Sequence, residues 1–315
     1  MMERCVLRRF DTFRVPVLVG MMAGLLAASC QTVPAASSPL TEPQIRFEPS
    51  LAADGGLVRL EVLLPIASEA ESGTVVRGKL EKTEFEFYPA RSPREGSLHF
   101  EALVAVPFGH KPGRFEVPVE VLQDGKPVLS LRAEIPVVPG DYVSETLSVD
   151  PRHVKPDAAS QDRIRREAAD IGRVYRNSEP TLFWSGAFEF PIASPLTSPF
   201  GTKRVYNGAM QSFHTGLDLK AAVGTAVQAP AAGRVVMARD LYLTGRTIIL
   251  DHGYGLFTVY AHLSRFNVKR GARVAKGDLL GLSGATGRAS GPHLHWGAVV
   301  HRTKFNPMDL TRLVR

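Results

Sequence analysis

Between Gly291 and Gly297 the sequence reads GPHLHWG, which sets His293 and His295 two residues apart. In an extended strand residues i and i+2 project to the same face, so the two imidazoles point together and Leu294 goes to the other side. Such a pair can hold a metal, or it can be two surface histidines, and the pair alone does not choose. A catalytic site of the zinc type takes three protein ligands from His, Asp, Glu or Cys and leaves a fourth position for water. Another candidate set lies upstream in His214-Thr-Gly-Leu-Asp218. The ends of HxxxD share a face in a helix or in a strand; Gly216 and the β-type residues around it favour a loop running into a strand. A third element, Tyr260-Ala-His262-Leu, puts Tyr260 and His262 on one face if that segment is extended.

These residues need a scaffold. After Phe190 the chain becomes a series of short β-rich runs separated by glycines: GTAVQAP, GRVVMA, RTIILDHG, LFTVYAHL, GDLLGLSG and HLHWGAVV. They predict a mostly antiparallel β domain over about 186–310. Upstream, residues 45–140 alternate with period two. Val58, Leu60, Val62 and Leu64 face away from Arg59 and Glu61, and Phe115, Val117, Val119 and Val121 oppose Arg114, Glu116, Pro118 and Glu120. Asp124-Gly125 then predicts a hairpin turn into VLSLRAEI. Several short strands in about 95 residues suggest an antiparallel sandwich of immunoglobulin type, with Pro118 marking an edge strand. His99 reads as an exposed surface residue. Residues 141–185 read as a connecting segment in which Asp157 caps a helix near 158–177. Ile164, Ala168, Ile171 and Val174 or Tyr175 form its apolar stripe, and its charged faces suggest a solvated linking helix. The whole is a mostly β chain.

The composition is that of a globular protein: 44% hydrophobic and 22% charged, with a net charge of +7. The charge is too weak to name a partner. The RIRR run at 163–166 is interleaved with acids and gives no nucleic-acid surface. The N-terminus is different. Four arginines in residues 1–14 precede the uncharged run VPVLVGMMAGLLAA, shorter than the roughly 20 apolar residues of a membrane span. With LAASC at 26–30 it has the make-up of a secretory signal over 1–29. That ending resembles the lipobox of bacterial lipoproteins, which implies lipidation of Cys30, with Ala27 where leucine is usual. Residues 30–44 then form a flexible tether. The sequence has two cysteines, and only Cys30 outlasts removal of 1–29, so the mature chain has no internal disulfide.

HTGLD (214–218), GTAVQAPAAGRVV (224–236), DHGYGLFTVYAHLS (251–264), GARVAKGDLLGLSGATG (271–287) and SGPHLHW (290–296) together resemble the lysostaphin/LytM-type zinc metallopeptidases of bacterial cell walls. The resemblance spans roughly 120 residues, in order. It implies that His214, Asp218 and His295 hold one zinc ion per chain, and that His262 and His293 are unliganded catalytic histidines. It makes His252 structural; His301 itself reads as a surface residue, and Tyr206 is a lesser candidate to assist the oxyanion. The departures are small: AAVGTAV lacks two common prolines, HLHW stands for HLHF, and Gly297 stands where an acid is frequent.

The implied function is zinc-dependent hydrolysis of peptidoglycan peptide stems or cross-links, by an endopeptidase rather than a carboxypeptidase. The alternative is a non-enzymatic activator of cell-wall amidases, a role of relatives that have lost zinc ligands; all five residues are present here. The implied place is the periplasmic side of a Gram-negative-type envelope, at the outer membrane through lipid on Cys30, since Gln31 stands where aspartate would favour the inner membrane.

Overall fold

The computed structural model describes residues 40–314 except 67–72, 82, 93, 95 and 209. Residues 1–29, read from the sequence as a secretory signal, and Cys30 therefore lie outside the described residues. Within them the chain is mostly β.

The period-two segments of the N-terminal half become two sheets packed face to face. One contains, in spatial order, Gln44–Glu48, Leu57–Pro65, Ser97–Ala105 and Tyr88–Pro89. The other contains Ala52–Ala53, Lys126–Val138, Gly113–Gln123, Thr74–Leu80 and Thr83–Glu86. Val58, Leu60, Val62 and Val104 from the first meet Val117, Val119, Val121 and Ile135 from the second in one buried cluster. Asp124 and Gly125 both take positive φ (50° and 77°), the backbone that a two-residue hairpin between twisted strands requires. Pro118 is not on an edge strand, because Gly113–Gln123 pairs on both sides. Its ladder with Thr74–Leu80 ends at Gly78↔Val119, so at Pro118 no partner on that side asks for an N–H.

Downstream, an antiparallel sheet runs in the order Leu196–Ser198, Leu217–Lys220, His293–Val300, Leu256–Leu263, Gly245–Gly253, Gly233–Leu241 and Arg273–Val274, with Thr303–Phe305 paired to His293–Val300. One of its faces is covered by helix Ala158–Val174, whose Asp157 cap accepts from the Ser160 N–H at 2.7 Å. The helix is not a solvated link. Ile171, Val174 and Tyr175 pack on Met237, Leu241, Ile249, Phe257 and Val299. Buried Glu167 accepts from the Tyr242 N–H (2.8 Å) and pairs with Arg163 (2.6 Å).

The two halves meet through a core rather than a hinge. Leu57, Tyr88, Leu103 and Ala105 of the first share one apolar cluster with Trp184, Phe188, Leu256, Val300 and Phe305 of the second. Asp309 accepts from the Leu57 N–H at 2.9 Å, and the Asn306 N–H donates to Gly55 O at 2.8 Å. Two histidines expected at the surface are buried. His99 is 8% exposed beneath its neighbours on the first sheet. His301 lies at the junction, stacked on Phe85 at 4.3 Å between ring centroids.

Burial lowers the pKa of His301, and that of fully buried His252, to about 4. An unfolded histidine takes its proton near 6.5, so below that pH the unfolded state binds more protons. Stability is complete above about pH 6.5 and is lost as pH falls toward 4, by on the order of 3 kcal/mol per imidazole. Urea unfolding between pH 7.5 and 4.5 should show this fall, and His301→Gln should flatten it. An unchanged slope in His301→Gln would place the pH dependence elsewhere.

Candidate metal centre

Strand pairing sets up the site before any side chain is considered. Ser198 faces Asp218, Asp218 faces His295, and His295 faces Ala261, which makes one row across four strands. His214 precedes Leu217–Lys220 and is fixed by its own backbone: its N–H donates to Thr202 O (2.8 Å) and its carbonyl accepts from Gly201 N (2.7 Å). Between them Gly216 leaves the space the His295 ring occupies. A Cβ there would lie 2.6 Å from both His295 Cε1 and the Trp296 carbonyl.

Three atoms converge. His214 Nε2, Asp218 Oδ1 and His295 Nδ1 are each 3.0 Å from the other two. Ligands 2.0–2.1 Å from a tetrahedral zinc ion are about 3.3 Å apart, close to this triangle. The protonation pattern points the same way. His214 Nδ1 lies 2.9 Å from Pro199 O, and a carbonyl only accepts, so the proton is on Nδ1 and the Nε2 lone pair faces the triangle. With the Asp218 carboxylate an acceptor as well, the neutral cluster has at most one proton, on His295, to share among three lone pairs. A cation satisfies all three, so the donor set fits a metal of the zinc type.

Two more imidazoles flank the triangle. His293 Nδ1 lies 2.8 Å from Gly291 O, and His262 Nδ1 lies 2.7 Å from Thr286 O. By the same reasoning both keep a lone pair on Nε2. His293 Nε2 is 3.6 Å from Asp218 Oδ1, and the His262 and His293 rings are 4.8 Å apart. His262 and Tyr260 do not share a face. Tyr260 is fully buried opposite Trp296, its hydroxyl 2.7 Å from Thr258 Oγ1. His262 reverses direction because its φ is +61°, a left-handed conformation that costs a non-glycine residue on the order of 1–3 kcal/mol and is typical of functional positions. Burial, and then the neighbouring His293 and His295, lower its pKa to about 3. Burial likewise brings His295 to about 4. His252 stands behind the site, its Nδ1 2.7 Å from Ala232 O and its Nε2 2.7 Å from Thr258 Oγ1. Tyr206 is buried with the Arg288 guanidinium 4.4 Å above its ring.

Sequence reasoning missed the support behind Asp218. Burial opposes the carboxylate charge, but the close contacts with His214 and His295 hold its pKa far below the usual range. Its second oxygen, Oδ2, is bound by Arg204 Nη2. Arg204 also donates to Ser198 Oγ (2.9 Å) and to Glu145 Oε1 (2.6 Å), and Ser198 Oγ donates to the same Glu145 oxygen at 2.9 Å. Glu145 comes from the connecting segment, where Ser144–Leu147 lies parallel to Lys203–Tyr206 with Glu145 directly opposite Arg204. No spacing in the sequence signals a contact between residues this far apart. Next to His214, Phe213 meets Phe108 of the N-terminal half at 5.0 Å between ring centroids.

A β domain with a His/Asp/His triangle beside two further imidazoles offers the donor set and the bases that metal-assisted hydrolysis needs. Residues 212–307 match peptidase family M23, so this stretch is an M23 peptidase domain of LytM/lysostaphin type. It is 41% identical over 122 residues to the peptidoglycan DD-endopeptidase ShyA of Vibrio cholerae, covering 38% of this chain and 28% of the relative. To the DD-carboxypeptidase/endopeptidase Mpg of Neisseria meningitidis it is 34% identical over 119 residues, covering 38% and 27%. The alignments thus span less than a third of either relative's length. A crystal structure of a putative M23 peptidase from Pseudomonas aeruginosa superposes with a TM-score of 0.62 at 28% identity, over 82% of this chain and 95% of that one.

Removing Arg204 strands two carboxylates. Arg204→Met should destabilise the protein by about 3–5 kcal/mol, the usual cost of leaving a buried charge without its partner. Adding Glu145→Gln should recover part of the loss in urea unfolding. A single variant as stable as the parent would mean that the carboxylates find other partners.

Proposed function

We propose that this protein is a zinc-dependent peptidoglycan hydrolase that cuts peptide stems or cross-links of the bacterial cell wall, as an endopeptidase rather than a carboxypeptidase. The observation that carries this reading is the pair of Nε2 lone pairs, on His262 and His293, held beside the three-atom convergence of His214, Asp218 and His295. A regulator that only docks on amidases has no need of that arrangement. The two relatives, a peptidoglycan DD-endopeptidase and a DD-carboxypeptidase/endopeptidase, support the substrate class.

In this reading His214 Nε2, Asp218 Oδ1 and His295 Nδ1 hold the zinc. A zinc ion there supplies Lewis-acid chemistry, polarising the scissile carbonyl and making water more acidic. The chain's own residues do the rest. Arg204 keeps Asp218 turned so that Oδ1 faces the triangle. The backbone carbonyls of Gly291 and Thr286 fix the proton of each free imidazole on Nδ1. His293 and His262 are then bases at Nε2, able to take a proton from the attacking water and return one to the leaving nitrogen.

The test is digestion of purified sacculi by the zinc-loaded protein, with released muropeptides identified by mass. Cross-linked dimers should fall to monomers; release of terminal D-alanine alone would make it a carboxypeptidase, and no release would sink the enzyme reading. His295→Ala should lose zinc and activity together. His293→Ala and His262→Ala should keep most of the zinc and lose about 10²–10⁴-fold in rate. Equal zinc loss in His293→Ala and His295→Ala would overturn this division of roles.

For location we propose the periplasmic side of the envelope, at the outer membrane, with the chain anchored by lipid on Cys30. More than one acyl chain is needed for stable anchoring, so loss of the lipidated cysteine is decisive. Cys30→Ser should move the protein from the membrane fraction to the soluble periplasmic fraction. A variant that still fractionates with membranes would show that Cys30 is not the anchor.

A further inference from the structure

On the outward face of the sheet Leu57–Pro65/Ser97–Ala105, Glu61 and Glu101 are direct cross-strand partners. Like charges placed opposite each other repel and destabilise a sheet. His99, two residues before Glu101, shares their face. Its side chain is only 5% exposed, and neither ring nitrogen has a hydrogen-bond partner among the described residues. The other buried histidines among the described residues are bonded: His214, His252 and His262 each reach a carbonyl or hydroxyl, and His301 reaches the backbone of Leu103. A buried, orphaned imidazole calls for an explanation, and a water or an ion is the usual one.

His99 Nε2 lies 4.0 Å from Glu61 Oε2 and 3.9 Å from Glu101 Oε1, too far for hydrogen bonds and with a gap between them. One ligand atom from each of the three residues falls within 4.8 Å of the others. The neighbouring cations leave that gap open. Arg59 binds Glu48 at 2.6 Å and takes the other oxygen of Glu61, Oε1, at 3.2 Å; Arg94 stands 3.9 Å from Oε2 and is half exposed. Glu101 has no ion-pair contact with an arginine or lysine within 4.0 Å among the described residues; the ring near it is His99. The Tyr88 hydroxyl, on the residue opposite Glu101, is also buried and unpartnered.

We propose that Glu61, His99 and Glu101 form a second metal site, holding a divalent transition cation of the zinc type. One imidazole nitrogen and two carboxylate oxygens suit zinc and disfavour the all-oxygen shells of calcium and magnesium. The logic repeats that behind Asp218, where one carboxylate oxygen faces the cation position and the other is held by arginine. Rotation of the two glutamate side chains closes the gaps to the spacing of about 3.3 Å of a tetrahedral shell. The role is structural. The cation cross-links two strands whose other ends, at Leu57, Leu103 and Ala105, sit in the junction core.

The experiment strips the full-length protein with chelator, reloads it with zinc alone, and counts metal per chain by mass spectrometry after gel filtration. About two equivalents are expected for the parent and about one each for Asp218→Ala and His99→Gln, with His99→Gln keeping its hydrolysis of sacculi. An unchanged count in His99→Gln, whatever the parent holds, overturns the site and leaves His99 with a water. Failure of the other centre would read differently, as an unchanged count in Asp218→Ala. Glu101→Gln guards against misfolding, because it keeps the shape of the side chain. With zinc present it should melt below the parent; melting above the parent with and without zinc would show simple relief of repulsion and overturn the proposal.

Discussion

A carboxylate 6% exposed, kept ionised, is the constraint on which the C-terminal half is organised. Asp218 is out of reach of bulk water, so both oxygens must be satisfied by the protein or by what it binds. They are assigned separately, Oδ1 to the two imidazoles and Oδ2 to Arg204. Each assignment fixes further structure. Oδ1 requires the strand register that brings Asp218 opposite His295, and it requires glycine at 216 so that the ring can lie close. Oδ2 requires the hairpin of Lys203–Tyr206 and Met210–Phe213 to run beside the site, and Arg204 in turn requires Glu145.

Backbone carbonyls supply a second level of control. Pro199, Thr286 and Gly291 each take the Nδ1 proton of one histidine, which leaves Nε2 bare on His214, His262 and His293. The residues differ less in chemistry than in distance from Asp218. His214 and His295 are 3.0 Å from Oδ1 and His293 is 3.6 Å away. That difference separates atoms that can share one cation from an atom that stands next to it.

The gathering of His214, Asp218 and His295 was what the resemblance to the lysostaphin/LytM-type peptidases implied; the alternation of the strands and the Asp124-Gly125 pair were enough to foresee the mostly β fold and the hairpin. Those two rest on local pattern, which a sequence carries openly. Other features depend on contacts between distant segments. His262 turns to the site only because its backbone is left-handed, and simple alternation puts it with Tyr260. His99 and His301 alternate outward as surface residues do, yet packing covers them. The helix stripe at Ile171, Val174 and Tyr175 was visible, but not the sheet face that receives it. Glu145 and Arg204 meet across a parallel strand pair that no nearby turn announces.

That parallel pair bears on how such a domain can be inherited. Parallel neighbours need a long crossover, and here the crossover from Ser144–Leu147 to Lys203–Tyr206 contains the helix Ala158–Val174 packed behind the sheet. The buried charges behind the site therefore reach back to near Ser144, well ahead of the first glycine-rich β run. A recombination joint placed nearer the histidines would carry every metal-facing residue into the new protein and leave the arginine behind Asp218 without its counterweight. Graftable ancestry of this kind is set by where the last buried charge finds its partner, and only secondarily by where the recognisable motifs start.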